Sequence, residues 1–352
     1  MWSRRKVMRA GVGAAAGGLV GRPFAKAASD GGKSKAVLVF ADTFSAQTEQ
    51  FVVTKLDLFK KLIEEYSGGA IKVRLSRGGV LGSQGDLPQQ VQTGAIQGCL
   101  VSMQNFVPYA PAFNVLDIPY LFPKRELFDR FLNSAKAQEL SLLTEPKKRG
   151  LKVLQGMWTN TGYRVFCTSK KRKTQVKVPA DLDGLKVRVT NSRVEQAIFG
   201  ATKASPVAVE WSETYMALQQ GTVDALSVGL GPLTANRIDE VIATASRLRM
   251  NFNAHVAMVS QKWFDSLTGE LQDAVVRSAN EVGAAQVEQQ RAEDKKMWRT
   301  WEDEGIDIID LNDSEKKEWM DTVGYKNEMW APYVEKYGAD LFDEIIRFVN
   351  KV

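Results

Sequence analysis

The stretch PADLDGLKVRVTNSRVEQAIFGATKASPVAVEWSETYMALQQGTVDAL, Pro179–Leu226, decides how the chain reads. Leu185, Val187 and Val189 alternate with Lys186, Arg188 and Thr190, which is a strand with one apolar and one polar face. Ser192 or Thr190 can cap a helix that carries Val194, Ala197 and Ile198 on one side and stops at Gly200. A second strand, 206–209, leads to Trp211, a helix from Glu213 to Gln220 stops at Gly221, and a third strand begins at Val223. A β-α-β-α-β run with short connections gives a parallel sheet whose ligands sit at the strand ends. Arg188 then has two readings. It is either a solvated arginine on a sheet surface or a guanidinium on a rigid strand, able to fork two hydrogen bonds onto a carboxylate as lysine cannot.

The segments "DLDGLKVRV" and "ASPVAVEWSETYMALQQGTVDA" resemble the signature region of DctP-type solute-binding receptors of the tripartite ATP-independent periplasmic (TRAP) transporters. "GGVLGSQGDLPQQVQTGAIQ" and "PAFNVLDIPYLF" are similar to that family as well, and the resemblance runs from about Ala36 to beyond Trp263. It implies an α/β, two-lobed periplasmic binding protein (type II-like), with mixed sheets flanked by helices and lobes joined by hinge strands and a long helix. It also implies that Arg188 pairs with a substrate carboxylate and that a second arginine, Arg164, contacts the same ligand. Asp86 stands where the family carries a glutamate. Where the family continues Gly-Gln-Glu-Asn-Pro, this chain has Ala225-Leu226-Ser227-Val228-Gly229, so Val228 replaces a substrate-touching asparagine. With Leu226, Phe44 and Trp211 beside it, Val228 favours an acid less hydroxylated than a sugar acid. Asn160 completes the expected site. The partners implied are a small-molecule carboxylate and TRAP membrane permease subunits, and no cofactor is expected.

Residues 1–27 read as an address. Ser3-Arg4-Arg5-Lys6-Val7-Met8-Arg9 fits the twin-arginine export pattern, a weakly apolar segment follows, and Ala25-Lys26-Ala27 offers a cleavage site. The expected location is therefore the periplasm. This segment also carries the charge. Of 352 residues, 47 are Lys or Arg and 41 Asp or Glu, a formal +6. Residues 1–27 hold Arg4, Arg5, Lys6, Arg9, Arg22, Lys26 and no acid, which is the whole excess. The basic balance is thus no argument for nucleic-acid binding.

The remaining roughly 325 residues exceed one core and suit two lobes. The expected division is 28–158 plus 246–285 for the first and 159–245 plus 286–352 for the second. A strand at 36–40 precedes a helix at 48–66, then a strand at 71–75 and a glycine-rich loop at 78–82 that lacks a P-loop ending. Strands are expected at 151–155 and 162–168, the latter with Arg164 and Phe166 on one face. A helix is expected at 232–241, one or two strands at 248–260, and a long helix at 268–304. Cys99 and Cys167 sit on strands in different lobes, as buried free thiols. One histidine, His255, lies among apolar residues and reads as structural. With one His and two separated Cys, no zinc or haem spacing can be assembled. No G-x-S-x-G elbow or G-x-G-x-x-G turn occurs, and the resemblance implies a receptor and not an enzyme. Two alternatives share the pattern: a binding protein serving an ABC importer or a sensor, and an exported α/β enzyme.

Overall fold

The computed structural model describes residues 36–44 and 55–351, apart from the Arg291 side chain; the export segment and part of the first expected helix lie outside the described residues. Eleven strands are present among the described residues: β1 (Ala36–Ala41), β2 (Ile71–Ser76), β3 (Gly98–Ser102), β4 (Leu151–Val153), β5 (Thr159–Ser169), β6 (Lys186–Val189), β7 (Ser205–Ala208), β8 (Ala225–Gly229), β9 (Ile242–Ser246), β10 (Phe252–Ser260) and β11 (Asp307–Ile309). Their order is β2-β1-β3-β10-β5-β8-β6-β7, with β4 beside β10 and β9 between β5 and β11.

Two parallel groups, β2-β1-β3 and β8-β6-β7, lie at either end of that order. The antiparallel strands β10 and β5 join them. β10 pairs β3 through His255–Val259 and β5 through Phe252–His255, and β5 then runs on along β8 through Arg164–Thr168. Both joining strands are buried along almost their whole length. A strand covered on both faces reads as a continuous apolar run, as residues 256–259 of β10 do. The mixed sheets, flanking helices and joining strands are those expected from the sequence.

The Pro179–Leu226 region follows its pattern closely. Ser192 caps the helix Arg193–Gly200, its hydroxyl accepting from the Glu195 N–H at 3.3 Å. Gly221 ends the helix Thr214–Gln220 at φ 80°, a left-handed backbone that glycine adopts without strain. Two expectations are corrected. The helix expected at 232–241 is instead Leu230–Ala235 followed by a 3-10 turn, Ile238–Val241. The Asn236 side chain donates back to the Pro232 carbonyl at 2.9 Å, and Arg237 turns left-handed at φ 55°, so the helix cannot continue. The strand β9 is the second: no strand is expected there from the sequence, because it is a short apolar run whose pairing is wholly long-range.

The helix Gly269–Asp303 runs 35 residues and serves two cores. Val275, Ala279 and Val282 pack with Phe59 and Ile63 of the helix Leu56–Tyr66. Farther along, Met297 and Trp301 pack with Leu230, Leu233 and Ile242, and the Trp301 indole donates to Thr234 at 2.9 Å. A third cluster links both parallel groups: Val101, Phe113 and Phe131 lie in it with Val187, Ile198, Trp330 and Ile345. Cys99 and Cys167 are buried free thiols on β3 and β5, their thiols pushed up by burial. Among the described residues no helix is long and apolar enough to cross a membrane.

One contact fixes the long helix against the joining strands. A Cβ on Gly283 would lie 1.7 Å from the Gly156 carbonyl oxygen, and one on Gly156 would lie 2.0 Å from Asn280 Oδ1. Alanine at an open helical site stabilises by about 1 kcal/mol relative to glycine. At Gly283 the sign should reverse, because an overpacked contact costs about 1–3 kcal/mol. Gly283→Ala is expected to lower the urea midpoint, and an unchanged or raised midpoint would show that the helix does not bear on the Gly156 turn.

Candidate functional site

The carboxyl ends of the parallel strands from both groups converge on one cavity, the place where open α/β sheets bind small molecules. Phe44 follows β1, Ser102 ends β3, and Gln84, Gln104 and Asn105 complete that wall. Opposite stand Arg188 near the end of β6, Thr190 beyond it, Trp211 after β7 and Val228 on β8, with Arg164 from β5 and Pro232. Asn253 and His255 of β10 form the floor. A second space shares Asn105, Arg188 and Thr190 and adds Glu210 and Glu213.

Five expected residues are brought together here: Arg188, Arg164, Trp211, Phe44 and Val228. Two are not. Asp86 is exposed, and its carboxylate accepts from the Ser83 N–H at 3.1 Å and hydroxyl at 2.7 Å, bracing the turn before the helix Leu87–Thr93. Asn160 is buried away from the cavity. Its amide donates to Asp129 at 2.8 Å and accepts from the Gly162 N–H at 2.9 Å, and its carbonyl takes the Arg125 guanidinium. Leu226 is register partner to Arg188 and packs in the apolar core instead of lining the cavity.

Eight further residues line the cavity that were not expected there: His255, Asn253, Gln84, Gln104, Asn105, Ser102, Thr190 and Pro232. His255 and Asn253 carried a signal. In FNAHVAMVS they are the polar side chains two apart, hence on one face of an otherwise apolar strand. The amides on the Phe44 wall carried none, since only the fold brings 84, 104 and 105 to the end of β1.

The two arginines differ in what surrounds them. Arg164 donates to the Glu195 carboxylate and to the Ser227 carbonyl, and both members of that ion pair are almost fully buried. The other oxygen of Glu195 accepts from the Thr190 N–H at 2.7 Å and hydroxyl at 2.6 Å. Arg188, 3% exposed, donates its Nε–H to the Val209 carbonyl at 2.9 Å and lies 5.7 Å from the Trp211 ring centre. Among the described residues no carboxylate lies within ion-pair distance of it. Burial lowers its pKa to about 10, so it remains a cation at neutral pH.

Neutral polar atoms surround this cation. Burial, and then Arg164, lower the His255 pKa to about 3, so its ring is uncharged; Nδ1 has no partner, and the ring meets Phe44 edge-on at 5.2 Å. The Trp211 Nε1 is buried without an acceptor. Behind the wall, Gln104 donates to Asp117 at 2.7 Å, and burial raises that carboxyl to about 7.

Asp117 therefore holds its proton more tightly folded than unfolded. Its contribution to stability is fully present below the ordinary carboxylate pKa and is lost as pH rises towards 7. His255 acts in the opposite sense, losing stability as pH falls from about 6.5 towards 3, so the two are separated by comparing variants. Asp117→Asn is expected to gain stability over the wild type, by on the order of 1–4 kcal/mol, between pH 4.5 and 7.5 in urea unfolding. A difference that does not change with pH would show that Asp117 does not titrate in that window.

Residues 41–332 match the family model for bacterial extracellular solute-binding proteins, family 7. The chain is 29% identical over 288 residues to the 2,3-diketo-L-gulonate-binding periplasmic protein YiaO of Escherichia coli, covering 82% of this chain and 85% of that one. It is 25% identical over 287 residues to the C4-dicarboxylate-binding periplasmic protein DctP of Vibrio cholerae, covering 81% and 83%. Among solved structures, a TRAP periplasmic solute-binding protein of Shewanella oneidensis with bound succinate superposes with a TM-score of 0.81 at 20% identity, covering 90% of this chain and all of that one. The converging strand ends, the buried cavity and a match over most of the chain agree: the protein belongs to the bacterial extracellular solute-binding protein family 7.

Proposed function

We propose that the protein is a periplasmic receptor that captures a small organic acid on Arg188 and delivers it to the membrane subunits of a TRAP transporter. The observation that carries this reading is Arg188 itself. It is a cation buried at a strand end, held by one carbonyl, with no acid within ion-pair distance of it among the described residues. A buried charge of this kind is costly unless an anion meets it. The relatives' names and the bound succinate support a carboxylate as that anion.

In this reading the halves are lobes, 28–158 plus 246–285 and 159–245 plus 286–352, that close over the acid. Residues 1–27 direct twin-arginine export, which substitution of Arg4-Arg5 by Lys-Lys should block; unimpaired export would remove that assignment.

The function is tested by a thermal-shift screen of the protein without residues 1–27 against succinate, galactonate, 2-oxo acids and hydroxy acids, since a ligand of the folded state raises the melting temperature by mass action. The best acid is then titrated calorimetrically. Arg188→Ala should weaken binding by about 2–5 kcal/mol, or roughly 30-fold to several-thousand-fold. Arg188→Lys should recover only part, for want of a planar fork. A folded Arg188→Ala protein within about threefold of wild type (~0.65 kcal/mol) would remove the carboxylate clamp.

A further inference from the structure

We infer that Glu195, which does not line the cavity, sets the charge of the ligand: it cancels Arg164, leaves Arg188 as the one unmatched cation of the cavity among the described residues, and so selects a monocarboxylate with an uncharged far end over a dicarboxylate. This rests on the carboxylate-receptor reading above and names the class of acid.

A cavity lined by two arginines suits a diacid only if neither charge is already matched. That of Arg164 is matched. One of its two terminal nitrogens, Nη2, is shared between Glu195 and the Ser227 carbonyl, and Glu195 is held in turn by two donors of Thr190. The carboxylate is further fixed by its place in the first turn of the helix Arg193–Gly200. A second ligand carboxylate reaching Arg164 would lie beside Glu195 in a water-poor space. Two like charges there repel strongly, and displacing Glu195 instead would strand a buried anion.

Among the described residues the other directions offer no cation. In the adjoining space Glu210 and Glu213 stand near Arg188 and oppose any further negative charge. The floor is neutral. His255 is uncharged and its Nδ1 unpartnered, and the Trp211 Nε1–H has no acceptor. Gln84, Gln104 and Asn253 are already engaged with Thr43, Asp117 and Thr161. A keto or hydroxyl oxygen near the carboxylate satisfies the free indole N–H, and a hydroxyl can meet the imidazole, without adding charge.

The test uses three pairs of acids that differ by one terminal carboxylate: 2-hydroxybutanoate and malate, 2-oxopentanoate and 2-oxoglutarate, galactonate and galactarate. Each is titrated calorimetrically into the wild-type protein at pH 7.5. The tightest-binding monoacid should exceed its diacid by at least tenfold. In Glu195→Gln, checked for folding by circular dichroism, Arg164 is released and the ratio should move towards the diacid by at least fivefold. A diacid that binds as well as its partner in the wild type, and is lost in Arg188→Ala, overturns the monoanion assignment and leaves the receptor reading standing. An unchanged ratio in folded Glu195→Gln overturns the role of Glu195. Should Glu195→Gln not fold, the wild-type ratio alone decides. No binding by any of the six acids overturns both readings.

Discussion

Two guanidinium groups share one desolvated cavity, and the buried pair of Arg164 with Glu195 makes that arrangement tolerable. Two unmatched cations in a medium of low dielectric would repel each other and lose their hydration. Glu195 cancels one, spends its second oxygen on Thr190, and thereby fixes the loop that carries the chain from β6 into the next helix. Arg188 is left charged and held by the Val209 carbonyl on one side only. The strand end therefore presents an incomplete polar group, and binding an anion completes it.

The cavity exists because β5 and β10 run from one parallel group to the other, so that strand ends from both groups face a common space. The same crossing explains why Asn253 and His255 lie in a strand otherwise built for a core. They sit where β10 leaves β3 and meets β5, and there one face of the strand is cavity. The long helix stabilises the crossing from outside, one half in each core, with Gly283 pressed onto the Gly156 turn.

Much of this was legible in the sequence where the cause is local. The alternation around Arg188, the Ser192 cap and the Gly221 stop each depend on neighbours within a few residues, and each was read from the chain. The long helix was legible for the same reason. Asp86 and Asn160 lie off the cavity, and family position does not reveal what a side chain touches. Asp86 has a serine hydroxyl three residues away and is consumed by it, while Asn160 answers to Asp129. The distinction between the two arginines was out of reach, since Glu195 is seven residues from Arg188 and reaches Arg164 only across the folded sheet. Gln84, Gln104 and Asn105 meet the cavity through chain reversals that no periodicity encodes.

The central claim is that Arg188, and not Arg164, receives the ligand's carboxylate. A crystal structure of the wild-type protein with its tightest-binding acid tests it most directly. The carboxylate is expected within about 3 Å of the terminal nitrogens of Arg188, with Arg164 still paired to Glu195. A carboxylate seated on Arg164, with Glu195 displaced and Arg188 bound only to Val209, would contradict it.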